Sequence, residues 1–325
     1  MRVRRAAVEL LAPAALVVAT GVLGAFVSQA NEIYFVQSLI YVSTVVALYV
    51  FVGNSGVLSV PEQEKPATMP YLFDFLSSTT VGNVPSLLIA AAVGGVFAFL
   101  VGLPLMRLSG LAAGIATFAV LGITNNLLRY YEKIGPGLNT FSSVPETTDL
   151  LQATAGAVIV IAVAFAYQRS RLGRQLRATR EDPAAARAVG VSIYRQRLAA
   201  FALSGFLAGF AGGLYIHFIP INVDAVYLDL TFITLAMLVI GGATSLWGAV
   251  VGALFVSGLD SVLAEMEDGM TLLGRTVDLP SGSRIVVVSA LMALVLLLRP
   301  SGLTGGREFS LPRVPARRLR AAEAK

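Results

Sequence analysis

The side chains that could carry chemistry are few in this chain of 325 residues. There is no cysteine and only one histidine, His217, which excludes thiolate metal sites, cysteine nucleophiles and most imidazole chemistry. The GxxxxGK[ST] pattern of phosphate-binding loops is absent. The sequence therefore predicts no catalytic residue, no metal site and no cofactor, and any ATP that drives the protein is bound by another subunit.

Uncharged polar residues inside apolar segments form the second chemical group. None of these segments shows the series of acidic, histidine or arginine residues expected of a proton relay, and uncharged residues suit a path for a neutral or zwitterionic solute. For the two asparagines, capping of a helix end near the membrane interface is the alternative. The predicted path residues are Thr117, Asn125, Asn126, Thr244 and Ser245.

The most charged segment runs from residue 168 to residue 197. It holds eight arginines and only two acidic residues, Glu181 and Asp182, between two apolar runs. Short loops rich in arginine and lysine stay in the cytoplasm. The segment is therefore predicted to be cytoplasmic, where a soluble partner can dock on it.

Local rules predict a short helix within this segment, from Pro183 to Val189. Asp182 can cap the helix and Pro183 suits its first turn. The run AAARAV favours a helix, and Gly190 can end it. Its small exposed residues would fit a groove on a partner, although a solvated connector would have a similar sequence.

Composition indicates a polytopic membrane protein. Apolar residues make up 56% of the chain, charged residues 13%, and the mean hydropathy is +0.77. The net charge of +5 comes from orientation signals at the N-terminus, in the loop and in the basic tail 300–325, and does not indicate nucleic-acid binding. Membrane segments, including an uncleaved first span, are predicted at 8–28, 33–53, 84–103, 109–129, 150–167, 198–218, 226–263 and 285–299.

The tract 226–263 must cross the membrane an even number of times if the basic tail is to remain cytoplasmic. The break falls at Gly241, Gly242 and Gly248, which leaves two shorter arms. At the other end of the chain, a cytoplasmic N-terminus requires 54–83 to cross an odd number of times. That segment is charged and rich in proline, so we predict a buried or re-entrant piece, with an external N-terminus as the alternative.

Two glycine-rich segments, VGNSGVLS at 52–59 and IGGATSLW at 240–247, each follow an apolar run. They suggest repeated halves with helices broken near the midplane, although two unrelated turns would look similar. Small residues at 205, 208, 209, 212 and 213 predict a close helix contact. The predicted fold is an all-α polytopic membrane protein, a bundle of about 8–10 membrane segments with inverted repeats and broken helices.

Four segments resemble, in the same order, the LivM type of branched-chain amino acid ABC transporter permeases. They are GLPLMRLSGLAAGIATFAV at 102–120, GRQLRATREDPAAARAVGVSIYRQRLAAFALSGFLAGFAGGLY at 173–215, IGGATSLWGAVVGALF at 240–255 and LLLRPSGLTG at 296–305. The resemblance implies a single transmembrane permease domain, 1–325, in a prokaryotic inner membrane. The implied partners are a LivH-like permease, two cytoplasmic ATPase subunits, an external solute-binding protein and membrane lipid.

The resemblance also implies that 168–197 is a coupling loop. Its helix resembles the EAA-x3-G motif of importer permeases, with the coupling residues Glu181, Asp182, Ala184, Ala185, Ala186 and Gly190. Ala184 stands where that motif has glutamate, and the segment SVPEQEKPATMPYLFDF from residue 59 departs from the family pattern. The implied solute is a branched-chain or related amino acid. A permease for urea or an amide-like solute, and a stand-alone secondary transporter or facilitator, are the alternatives.

Overall fold

The computed structural model describes residues 2–27, 29–57, 83–130, 147–220, 228–267, 270–272, 275–277, 280, 282–299, 301–306 and 308. Within these ranges it forms eleven α-helices and one β-hairpin, whose strands β1 (Met270–Leu272) and β2 (Arg275–Val277) pair antiparallel. The helices are α1 (Arg2–Ala25), α2 (Gln29–Ser55), α3 (Asn83–Leu105), α4 (Gly110–Tyr130), α5 (Leu150–Arg169), α6 (Arg171–Glu181), α7 (Pro183–Ala188), α8 (Ile193–Ile216), α9 (Leu228–Gly241), α10 (Leu246–Glu267) and α11 (Ser283–Leu298).

Nine of the described helices are apolar enough to lie in a membrane. Six of them, α2, α3, α4, α5, α8 and α10, are also long enough to cross it, whereas the apolar parts of α1, α9 and α11 are shorter. This agrees with the predicted 8–10 segments and confirms an all-α polytopic membrane protein. The two remaining helices, α6 and α7, belong to the charged segment 168–197.

Side-chain contacts identify which helix ends lie together. The end of the bundle that carries 168–197 is here called the arginine-rich end. Arg169 forms an ion pair there with Glu9 of α1 at 2.6 Å, and the Arg180 guanidinium donates to the Gly53 carbonyl of α2 at 2.6 Å. The Tyr194 hydroxyl donates to the Leu103 carbonyl of α3 at 3.2 Å. Helix α1 therefore begins, and helices α2 and α3 both end, at the arginine-rich end.

The opposite end is marked by His217, which follows α8 and is buried there. Its Nε2 lies 3.5 Å from the Ser86 hydroxyl at the start of α3, and its carbonyl accepts from the Thr147 amide at 2.9 Å. Helix α2 therefore ends at one end of the bundle, and α3 starts at the other. The odd crossing predicted for 54–83 falls mostly outside the described residues and stays a prediction.

Helix α2 is the centre of the bundle. Every residue from Ser38 to Ser55 is buried, and the helix contacts α1, α5, α8 and α10. A helix that is apolar on all sides can be enclosed in this way, because no face requires water. The hydroxyls of Ser38, Ser43 and Thr44 donate to carbonyls of the preceding turn, as Ser43 does to the Leu39 carbonyl at 3.1 Å.

The glycine-rich face predicted on α8 packs against α3. A Cβ atom added at Gly209 would lie 2.5 Å from the Ala90 carbonyl oxygen, and one added at Gly94 would lie 2.6 Å from the Gly205 carbonyl oxygen. The two backbones therefore approach more closely than any side chain allows. The predicted close helix contact is confirmed.

The tract 226–263 contains two helices, α9 and α10, which pack against each other and are joined by a turn. The helices separate at Gly241 and Gly242, as predicted, whereas Gly248 lies in the first turn of α10 and not in the break. The position of the break also differs from the midplane expectation. A Cβ atom added at Gly53, at the arginine-rich end of α2, would lie 2.5 Å from the Ala243 carbonyl oxygen. The break is therefore a turn between two helices at that end, not an interruption at the midplane.

The two glycine-rich segments that suggested a repeat end α2 and α9, which both run toward the arginine-rich end. Two helices that run in the same direction are not related by inversion. The expectation of an inverted repeat is therefore wrong for this pair. The similarity of the two eight-residue segments reflects the residues that end a helix. It does not indicate the direction in which the helix runs.

Replacing Gly209 with valine is expected to separate α3 from α8, because the added side chain would overlap backbone atoms. Overpacking of this kind costs about 1–3 kcal/mol or more. Gly258→Ala is the matched control, since nothing lies within 4 Å of its added Cβ. Thermal unfolding of the purified protein in detergent should show a lower midpoint for Gly209→Val only. Equal midpoints for the two variants would contradict this packing.

Candidate functional site

The charged segment folds as two helices with a sharp bend between them. Ser170 caps α6, its hydroxyl accepting from the Gly173 amide at 3.1 Å. Asp182 occupies the bend and caps α7, its Oδ1 accepting from the amides of Ala184 at 2.8 Å and Ala185 at 3.0 Å. Pro183, which has no amide hydrogen to satisfy, takes the first position of α7.

Gly190 ends α7. Its φ of +82° is a left-handed conformation that glycine adopts without strain. Its amide donates to the Arg187 carbonyl, and the Val191 amide donates to the Ala186 carbonyl, both at 3.0 Å. The structure thus confirms a short helix, which ends at Ala188, one residue before the predicted end.

Helix α7 offers a smooth, exposed face. Of the predicted coupling residues only Ala186 is buried, at 4% exposure, and it anchors the helix to the bundle. Val189, the residue that follows the helix, is 78% exposed. The other predicted coupling residues are exposed: Glu181, Asp182, Ala184, Ala185 and Gly190.

The first of the two short helices, α6, is fastened to the membrane helices. Its Arg180 donates to the Gly53 carbonyl of α2 and also pairs with Glu181 at 2.8 Å. The Gln196 side chain of α8 donates to Gln175 of α6 at 2.9 Å. Helix α6 is therefore held to α2 and α8 by polar contacts, and α7 follows it after the bend at Asp182.

A groove of about 470 Å³ lies beside α7. Three arginines line it: Arg107 after α3, Arg187 on α7 and Arg197 on α8. The Arg107 guanidinium also lies 5.8 Å from the centre of the Tyr194 ring, a cation–π contact. The groove adds a positively charged recess to the exposed face of α7.

The turn between α9 and α10 is closed by the segment 301–308. The Leu303 amide donates to the Ile240 carbonyl at 2.8 Å, and the Thr304 hydroxyl donates to the Gly241 carbonyl at 2.8 Å. These bonds satisfy carbonyls at the end of α9 that have no partner within the helix. The family-like motif at 296–305 includes most of this segment, but it did not predict the contact of the segment with the end of α9.

Glu308 caps the start of α10. Its carboxylate accepts from the amides of Leu246 at 2.9 Å and Trp247 at 3.2 Å, and from the Gln168 side chain at 2.8 Å. Nothing in the sequence indicated this role, because the cap stands 62 residues from the helix it serves. Residues 309–325 of the predicted basic tail lie outside the described residues.

The five predicted path residues occupy two separate places. Thr117 and Asn125 are buried on α4, whereas Asn126 on the same helix is exposed and donates to the Gly122 carbonyl at 2.8 Å. Helix α4 continues to Tyr130, so these asparagines do not cap its end.

Thr244 and Ser245 lie instead in the turn before α10. The Thr244 hydroxyl donates to the Gly306 carbonyl at 3.2 Å, and the Ser245 hydroxyl accepts from the Gly248 amide at 2.9 Å. These contacts stabilise the turn between α9 and α10. Their role in a solute path, like that of Thr117 and Asn125, stays a prediction.

One residue was missed by the sequence reasoning, which expected no embedded ionisable group of consequence. Asp260, in α10, is buried at 6% exposure and lies 3.2 Å from the Arg284 guanidinium of α11. The signal was available, because an acidic residue inside an apolar tract is rare and marks function by default.

The chain matches the family described as branched-chain amino acid transport system, permease component, over residues 33–298. It is 26% identical to the high-affinity branched-chain amino acid transport system permease protein LivM of Salmonella typhimurium, covering 89% of this chain and 72% of the relative. Identity to LivM of Escherichia coli is 27%, covering 82% and 68%. No solved structure matches the chain significantly.

A relative with another name shares part of the chain. The autoinducer 2 import system permease protein LsrC of an Enterobacter species is 31% identical, covering 55% of each chain.

Glu308→Ala is expected to release the segment 301–308 from the turn, since the amides of Leu246 and Trp247 lose their acceptor. Loss of a helix cap costs about 1 kcal/mol. Amide hydrogen exchange at these two positions should accelerate, and the fluorescence of Trp247, the only tryptophan, should shift. Glu308→Gln keeps an oxygen acceptor and should change both readings less. Unchanged exchange in the alanine variant would show that the segment does not close this turn.

Proposed function

The chain belongs to the family of branched-chain amino acid transport permease components, and we propose that it is the membrane subunit of an ATP-binding-cassette importer in a bacterial inner membrane. The observation that carries the proposal is helix α7. It is capped at both ends, is exposed on its outer face, and follows α6, which Arg180 fastens to the central helix through the Gly53 carbonyl. That is what a surface needs if it is to receive force from a partner.

The arginine-rich end is the cytoplasmic end in this proposal. Eight arginines in 168–197 support that orientation by the positive-inside rule. The segment 301–308 lies at the same end, and this supports a cytoplasmic C-terminus. The N-terminus is then also cytoplasmic, because the Arg169–Glu9 ion pair holds the first half of α1 near this end.

Transport is driven by partner subunits that bind ATP. Two cytoplasmic ATPases contact the exposed face of α7, including Ala185 and Val189. When ATP closes them, α7 is displaced and Arg180 carries the displacement to α2. The bundle, paired with a LivH-like permease, then changes between its outward and inward openings. The free energy that separates the two states comes from the ATPases.

The solute is a branched-chain or related amino acid, delivered by an external binding protein. The similarity to LivM over most of the chain supports this substrate class. A permease for a different small polar solute is the second candidate, and the partial similarity to LsrC supports it. A stand-alone secondary transporter is the third, and the buried Asp260 is the observation in its favour.

Ala185→Arg is expected to abolish ATP-driven uptake, because a long charged side chain would prevent close contact between α7 and an ATPase. Ala178→Arg is the matched control, since Ala178 is exposed on α6, outside the proposed contact. Uptake of radiolabelled leucine should be measured in proteoliposomes that contain the permeases, ATPases and binding protein. A loss of at least tenfold is expected for Ala185→Arg alone.

Gly190 supplies an independent variant of the same experiment. Valine there would strain the left-handed backbone, although no atom lies within 4 Å of the added Cβ. Asparagine tolerates that conformation better and should preserve uptake. Membrane insertion should be normal in every variant. Full uptake in both Ala185→Arg and Gly190→Val would show that α7 is not the coupling helix.

The cognate binding protein is expected to bind leucine, isoleucine or valine more tightly than urea, because it delivers the solute of the permease. Isothermal titration calorimetry with each solute measures the difference directly. Alanine, which shares the charged groups but not the branched side chain, is the matched comparison. Preference for urea would replace the amino-acid assignment by the second candidate.

A further inference from the structure

Asp260 is a buried acidic residue in the outer part of the bundle. It lies about 21 Å along α10 from the turn at the cytoplasmic end, at 1.5 Å per residue. That distance is about two thirds of a hydrocarbon core of roughly 30 Å. The coupling mechanism makes no use of this residue. A carboxylate retained at such a depth is expected to meet a charge.

Arg284 supplies a neighbouring charge but not a hydrogen bond. Its Nε lies 3.2 Å from Oδ1 of Asp260, and Oδ1 accepts no hydrogen bond from the described part of the chain. The two side chains also differ in exposure: 9% for Asp260 and 42% for Arg284. The pair thus combines an incompletely satisfied, buried carboxylate with a guanidinium that remains accessible.

Two tyrosines from other helices lie in the same part of the bundle. The Gln37 side chain donates to the Tyr41 hydroxyl at 2.9 Å, and Tyr41 of α2 is hydrogen-bonded to Tyr215 of α8. The electrostatic influence of Asp260 and Arg284 extends to both tyrosines. In the proposed orientation, this part of the bundle is on the side from which a binding protein delivers solute.

Resting on the proposed function, we propose that Asp260 and Arg284 recognise the two charged ends of a zwitterionic amino acid. The Asp260 carboxylate accepts from the solute ammonium group, and the Arg284 guanidinium donates to the solute carboxylate. Without solute the two side chains neutralise each other, and solute entry replaces one ion pair by two. An uncharged solute such as urea has no group to exchange for either charge.

The simpler role for these residues is a clamp that holds α11 to α10. Arg284 already contributes to the start of α11, where its amide donates to Glu267 Oε1 at 2.8 Å. A clamp needs only opposite charges, in either order. Recognition of a zwitterion presented in a fixed orientation needs the acid on α10 and the base on α11. The two roles are therefore separated by exchanging the charges.

The experiment uses the complete transporter in proteoliposomes, with leucine-loaded binding protein. Leucine uptake by the unaltered complex must first be shown to depend on ATP, since failure there rejects the proposed function itself. Asp260→Asn and Arg284→Gln are then each expected to reduce uptake at least tenfold, with the ATPases still bound. Glu265→Gln, an exposed acid on the same helix, should leave uptake unchanged.

The double variant D260R/R284D decides between the two roles. Uptake that stays at least tenfold low supports recognition, because the solute ammonium group now meets a guanidinium. Recovery to near the unaltered rate shows a clamp and overturns the proposal. Normal uptake in either single variant overturns it as well.

A second measurement tests the proposal even if the charge variants do not assemble into the transporter. The chain has no cysteine, so Ser261→Cys introduces a single thiol next to Asp260 with both charges intact. Leucine delivered by the binding protein should slow labelling of this thiol severalfold in the assembled transporter, whereas urea at the same concentration should not. Equal labelling with and without leucine would contradict the assignment.

Discussion

Backbone groups at the end of a helix have no partner within that helix, and this requirement organises the arginine-rich end of the bundle. Three helix ends meet there, each satisfied by a side chain or backbone amide from a distant segment. Arg180 donates to the Gly53 carbonyl at the end of α2. Thr304 serves the end of α9, and Glu308 serves the start of α10.

These contacts make the coupling region and the membrane helices mechanically continuous. Gln168, at the end of α5, donates to Glu308, so the segment that closes the α9–α10 turn is also joined to the beginning of 168–197. Arg180 joins the end of α6 to α2. A displacement of α6 therefore reaches α2 directly, and one of α7 reaches it through the bend at Asp182 and α6. The opposite end is built differently, around His217 and the ion pair between the buried Asp260 and the partly exposed Arg284.

Much of the local structure was predictable from residue types, because local chemistry decides it. A spanning helix needs only a sufficiently long apolar run, so most spans were located to within a few residues. Helix α7 depends on Asp182 as cap, Pro183 in the first turn and Gly190 at its end, all within nine residues. The α3–α8 contact was predicted only in part. The small residues of α8 indicated close packing, but they did not indicate which helix would pack there.

By itself, the sequence determined the all-α membrane class, the location of most apolar spans and the approximate limits of the short capped helix, since these follow from composition and neighbouring residues. Only the tertiary structure decided that the break before α10 is a turn level with Gly53, that Glu308 caps a helix 62 residues away, and that Asp260 faces Arg284. Each depends on a contact between segments far apart in the chain. Such contacts depend on how the helices pack around α2. The hydrophobic periodicity of one helix does not predict which other segments will contact it.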